Sequence, residues 1–108
     1  MKGKDDMVRK LDAGDIPADQ TKGVAVVAFS AAWCPPCKVM APIYEEAAAK
    51  FTSINFLKAN QEETPELFDR YGVSAIPTYV VLKDGEVVHR QVGALPASRF
   101  HSMLEAFA

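Results

Sequence analysis

Val24-Ala25-Val26-Val27-Ala28-Phe29-Ser30 runs through Ala31-Ala32 into Trp33-Cys34-Pro35-Pro36-Cys37-Lys38, and the reading of this stretch decides the fold. Its first seven residues are almost continuously apolar rather than alternating, the pattern of a central strand covered on both faces. Past the cysteines the period changes. Val39, Met40, Ile43, Tyr44, Ala47, Ala48 and Phe51 recur at helical spacing, and Pro42 inside that run is expected to kink the helix. A buried strand therefore ends where a helix carrying both cysteines begins.

Working outward, Ile54 to Ala59 reads as a second strand. Thr64-Pro65 has the form of an N-cap followed by proline at the first helical position, and Gly72 would end the short helix between them. Thr78 to Lys83 and Glu86 to Val92 are strands joined by Asp84-Gly85, a strong two-residue hairpin signal. Phe100, Met103, Leu104 and Phe107 then stand at i, i+3, i+4 and i+7 of an amphipathic C-terminal helix. Before Val24, Met7 to Leu11 is expected as a short edge strand and Ala13 to Gln20 as an irregular or helical return. The order predicts an α/β fold with a central mixed β-sheet flanked by helices: parallel strands with helical crossovers, then an antiparallel hairpin.

Composition narrows the function classes. The 108 residues suit one domain, 1–108, and 49% hydrophobic content is enough for one core. Twelve Lys and Arg against 14 Asp and Glu leave a formal charge of −2, so nothing in the charge balance draws the chain to nucleic acid or an anionic membrane. No apolar run approaches the ~20 residues that span a bilayer. Met1-Lys2-Gly3-Lys4-Asp5-Asp6 is followed by no apolar core of a signal peptide, so a cytoplasmic location is expected.

The two cysteines, Cys34 and Cys37, are the whole cysteine content. A bridge over two residues closes too small a loop to stabilise much, so the pair is poorly placed as a structural staple. A structural zinc site needs four ligands, and His89 and His101, with eleven residues between them, do not have the usual spacing. Redox chemistry fits better. A helix N-terminus presents unpaired N–H groups and the positive end of the dipole, which lowers a thiol pKa from about 8.5 toward neutrality. Cys34, at the mouth, is the expected nucleophile; Cys37, one turn inside, would attack the mixed disulfide and release the reduced substrate. Pro35 and Pro36 remove two N–H donors, leaving the Cys37 N–H to support the Cys34 sulfur.

These residues carry a resemblance. Trp33-Cys34-Pro35-Pro36-Cys37-Lys38 with Met40-Ala41-Pro42 resembles the active site and kinked helix of the thioredoxin family. Tyr71-Gly72-Val73, Ile76-Pro77-Thr78, Lys83-Asp84-Gly85-Glu86 and Val92-Gly93-Ala94-Leu95 are similar to later landmarks of that family, in order. The resemblance covers roughly Val24 to the C-terminus and implies a thioredoxin fold. It implies that Pro77 is a cis proline facing the cysteines, with Ile76 and Gly93 in a substrate groove beside Trp33. It also implies reduction of protein disulfides, with no cofactor beyond the Cys34–Cys37 disulfide and no metal. Recharging by a thioredoxin reductase and a monomeric state are expected with it.

Two departures stand out. The family's buried aspartate in the strand before the motif is matched here by Ala28, and Lys58 matches the lysine that pairs with that aspartate. The expectation is that Lys58 turns outward, and that resolution by Cys37 is slow or uses water. The Pro-Pro dipeptide also resembles periplasmic-type oxidases or isomerases and cytochrome-maturation reductases, although Cys37 to Pro77 leaves no room for their added segment. A binding module using the groove at Pro77 without turnover is the remaining alternative.

Overall fold

The computed structural model describes residues 8–12 and 14–108. Five strands and three helices follow one another as β1 (Val8–Lys10), β2 (Val24–Ser30), α1 (Pro35–Lys50), β3 (Ile54–Asn60), α2 (Pro65–Arg70), β4 (Thr78–Lys83), β5 (Glu86–Val92) and α3 (Ala97–Glu105), with a 3₁₀ turn at Ala18–Gln20. Met7 and Ala13, the outer positions of the two expected N-terminal elements, lie outside the described residues.

The sheet order is β1-β3-β2-β4-β5. β1 and β2 run parallel to β3, while β4 is antiparallel to β2 and to β5. β2 sits in the middle, which is why its sequence does not alternate. Val26 and Ala28 enter one core with Met40 and Tyr44 of α1 and Phe100 and Leu104 of α3. Ala25, Val27 and Phe29 enter the other, with Leu67 and Phe68 of α2. Successive side chains of a strand point to opposite faces, so each face of β2 is closed by a different set of helices. Phe29 meets Phe68 edge-on at 4.9 Å, and Tyr44, Phe56, Tyr79 and Phe100 form an aromatic group on the other side.

The β4–β5 turn has both central residues at positive φ, Asp84 at 50° and Gly85 at 88°, the backbone that follows the strand twist. Asp84 is tied to the start of β2 twice: its N–H donates to Gly23 O (2.8 Å), and its carboxylate accepts from Gly23 N (2.9 Å). Val88 drops out of the ladder at an irregularity between Val81 and Leu82.

One expectation is corrected. Val39, counted in the apolar stripe of α1, points to solvent, because Met40 and Ile43 already fill the arc that faces the core. Thr64 occupies the N-cap of α2, but its hydroxyl donates back to Asn60 O (3.3 Å) and makes no cap bond to the helix. Both histidines are partly buried, His101 against Phe51 and His89 against Phe107.

Candidate active site

Cys34 stands at the N-cap of α1 in an extended conformation, followed by prolines at the first two helical positions. Those prolines have no N–H to offer, so the first free donor of the helix is Cys37. Its N–H donates to Cys34 Sγ at 3.3 Å. The sulfur of Cys34 thus takes the place that a Ser or Asp oxygen usually holds at an N-cap, where N–H groups and helix dipole favour a negative charge. The two cysteines are joined as a disulfide with Cα atoms 5.2 Å apart.

The cysteine pair is largely covered. Cys34 is only 3% exposed and Cys37 8%, because Ala31 and Ile76 pack against the pair. The exposed surface at the motif comes from Trp33, at 64%, and from Pro35 and Pro36. An indole this exposed contributes little to the core and is available to a partner. The Ile76–Pro77 peptide is cis. Pro77 is buried, and its carbonyl accepts from Gly93 N at 2.8 Å, which brings the end of β5 against the start of β4. Gly93 adopts φ +93°, where an L side chain would be strained even though the space beside it is open. Ile76 therefore packs against the cysteine pair, while Gly93 is hydrogen-bonded to Pro77, the residue that follows Ile76.

Below the disulfide, between α1 and the sheet, lies a cavity of about 400 Å³. Cys37, Met40, Ala41, Tyr44 and Glu45 form its roof, and Val8, Lys10, Ala28, Ser30, Lys58 and Tyr79 its floor and rim. The floor is a row cut across four strands: Lys10 is paired with Lys58, Lys58 with Ala28, and Ala28 with Tyr79. Lys10 is neutralised by Glu63 at 2.6 Å. Lys58 is exposed and has no ion-pair partner among the described residues. Lys10, Glu63 and Tyr79 have no signal in the linear sequence, because only strand register brings them beside Ala28.

Tyr44 spans the cavity wall from helix to sheet. Its hydroxyl lies 2.9 Å from Val26 O and 2.5 Å from Leu57 O, on the two adjacent strands β2 and β3. Burial pushes its pKa well above the ordinary value, and Tyr79 pushes in the same direction. Burial alone raises Tyr79. Both phenols are therefore neutral at physiological pH. Among the described residues, no group of three or more His, Cys, Asp or Glu is arranged to hold a metal ion.

The sequence profile described as Thioredoxin matches residues 15–106. The chain belongs to the thioredoxin family. Thioredoxin from Staphylococcus aureus is 37% identical over 97 residues, 89% of this chain and 93% of that protein. Thioredoxin H5 of Arabidopsis thaliana is 40% identical over 77 residues, 71% of this chain but only 65% of the plant protein, so the match spans less than two thirds of that relative. Among solved structures, reduced Schistosoma mansoni thioredoxin pre-protein superposes with a TM-score of 0.84 at 30% identity, covering 94% of this chain and 98% of that one. The mixed five-stranded sheet with its flanking helices is the thioredoxin fold.

Proposed function

We propose that this thioredoxin-family chain is a thiol–disulfide oxidoreductase that reduces protein disulfides. The observation that carries the reading is the position of Cys34 Sγ at the N-cap of α1, 3.3 Å from the only nearby N–H that the two prolines leave. In the reduced protein that donor and the helix dipole favour the Cys34 thiolate. The thiolate attacks a substrate disulfide, forming a Cys34–substrate bond and releasing the first substrate thiolate, which takes up a proton. Cys37 loses its proton and attacks Cys34 Sγ. The Cys34–Cys37 bond forms, the mixed disulfide breaks, and the second substrate thiol leaves.

Trp33, Ile76, Pro77 and Gly93 form the docking surface in this reading. Exposed indole, Ile76 against the sulfurs and the fixed backbone at Pro77 suit an extended protein segment laid beside the disulfide. Pro35 and Pro36 hold the helix start, and Ala28 and Lys58 tune Cys37. The chain acts as a single domain, a monomer of the cytoplasm that carries electrons in thiol redox homeostasis. Its donor is a thioredoxin reductase, and its only redox group is the cysteine pair. Among the described residues, no helix is long and apolar enough to cross a membrane.

The test is insulin disulfide reduction by the chemically reduced protein. Wild type reduces insulin, Cys34→Ser does not, and Cys37→Ser accumulates a mixed disulfide at Cys34. Turnover that survives Cys34→Ser overturns the reading. Titration against glutathione gives the direction: a potential near about −270 mV fits a reductase, and one near about −120 mV fits a disulfide donor.

A further inference from the structure

β5 closes one edge of the sheet, and among the described residues no strand pairs with its outer side. Its hydrogen-bond phase is fixed at one end, where Gly93 N donates to Pro77 O at 2.8 Å. Bonded and non-bonded pairs alternate along an antiparallel ladder. The pairs Val92 with Thr78 and Arg90 with Val80 are therefore non-bonded, and the N–H and C=O of Arg90 and Val92 point out of the edge. The outer carbonyl of Val92 accepts from the side-chain amide of Gln91 (3.0 Å), a donor that an incoming N–H can replace. Upstream, the irregularity at Val88 breaks the phase, so the straight edge is the stretch from His89 to Val92. Beside it, between β5 and α3, lies an open groove of about 430 Å³ lined by Gln91, Leu95, Arg99, Ser102 and Met103. Gln91 faces this groove because its partner Tyr79 belongs to the core on the α3 side. Leu95 and Met103 are half-buried and give the groove an apolar floor. Arg99 is exposed, is the one charged residue of the lining, and has no ion-pair partner among the described residues. The first turn of α3 carries no acidic residue to offset it.

We propose that this edge takes an extended acidic segment of a partner protein, added antiparallel to β5 as a sixth strand of the sheet. Two residues of the segment exchange backbone hydrogen bonds with Arg90 and Val92. The residue between them, opposite Gln91, lies over Leu95 and Met103, because every second side chain of the added strand faces α3. A carboxylate two positions away falls on the same face and pairs with Arg99. Backbone bonds supply the affinity in such strand addition, and the side chains in the groove supply the choice of partner. None of the five lining residues belongs to the surface around Trp33, Ile76 and Pro77, so the two surfaces can be occupied together.

The probe is the peptide acetyl-Thr-Glu-Thr-Leu-Thr-Glu-Thr-amide, titrated into the oxidised, isotope-labelled protein at low salt. The amide resonances of Arg90, Val92 and Arg99 should shift along one saturable curve, while that of Ile76 stays in place. Lysine at both glutamate positions of the peptide should weaken binding by about fivefold or more, the scale of an exposed ion pair. Arg99→Glu, a surface change, should invert the preference, so that the lysine peptide binds better than the glutamate one. N-methylation of the two threonines that flank leucine removes the N–H groups meeting Arg90 and Val92, and should abolish binding. A titration without saturation up to several millimolar peptide overturns the proposal. Equal binding of the N-methylated peptide also overturns it, since contact is then by charge alone. Shifts centred on Ile76 and Gly93 overturn it in favour of the surface beside the cysteines. Shifts of Arg90 and Val92 that grow with protein concentration in the absence of peptide overturn it too, the occupant then being a second copy of this chain.

Discussion

Replacing Tyr44 with Phe should weaken the protein at neutral pH yet make it more stable than wild type in strong alkali. The Tyr44 hydroxyl shares one proton between Val26 O and Leu57 O. Each carbonyl has a second lone pair, so the loss is close to one net hydrogen bond, about 1 kcal/mol. With roughly 4 °C per kcal/mol for a domain near this size, Tm should fall by about 4 °C. The same burial that makes the bond count holds the Tyr44 pKa well above its ordinary 10.0. In the unfolded chain the phenol ionises above about pH 10, while in the folded protein it stays neutral. The contribution of Tyr44 is therefore full below pH 10 and is lost as pH rises from there toward the folded pKa, by about 1.4 kcal/mol per pH unit. Phe has no proton to lose, and Tyr79 is common to both proteins and cancels. The two stability curves should cross at about pH 10.7, where the ionisation loss equals the ~1 kcal/mol hydrogen bond. Urea unfolding of both proteins from neutral pH to about pH 11.5 measures the difference directly. A Tyr44→Phe penalty that stays constant through about pH 11 would refute the reasoning, since it would mean the folded hydroxyl titrates as freely as the unfolded one.

Trp33→Ala should leave stability within about 0.5 kcal/mol, because the side chain is largely in solvent, while raising KM for a protein disulfide substrate; urea melts and insulin turnover report the two effects separately. Gly93→Ala should cost about 1–2 kcal/mol by denaturant midpoint although nothing crowds the added methyl, because φ +93° is strained for any L residue. Leu104→Ala, at a fully buried position of α3, should cost about 2–5 kcal/mol and bring the melting temperature down by at least about 8 °C.

The strands and helices from Val24 onward were legible because their signals are local. The unbroken apolar run of β2, the Asp84-Gly85 turn and the stripe of Phe100 and Leu104 each reflect one element meeting its own surroundings. Val39 misled because helical spacing alone admits a wider arc than the sheet can cover. The thermodynamically important contacts of Tyr44, by contrast, join positions 18 and 13 residues apart in the chain through hydroxyl and carbonyl groups. No periodicity records such a bond.

The chemistry of the site divides in the same way. Two cysteines a helical turn apart with prolines between them mark by themselves a sulfur pair at a helix start, because covalent spacing there sets the sulfur geometry. With the later Ile76-Pro77 and Gly93 they carry the resemblance to the thioredoxin family. Tertiary structure alone decided how far Cys34 is covered, since Ile76 arrives from another part of the chain. It alone decided that Lys10, Lys58, Ala28 and Tyr79 form one row beneath Cys37, because that alignment is a matter of register among four strands. A pairing shifted by one residue would turn each of these side chains to the opposite face of the sheet.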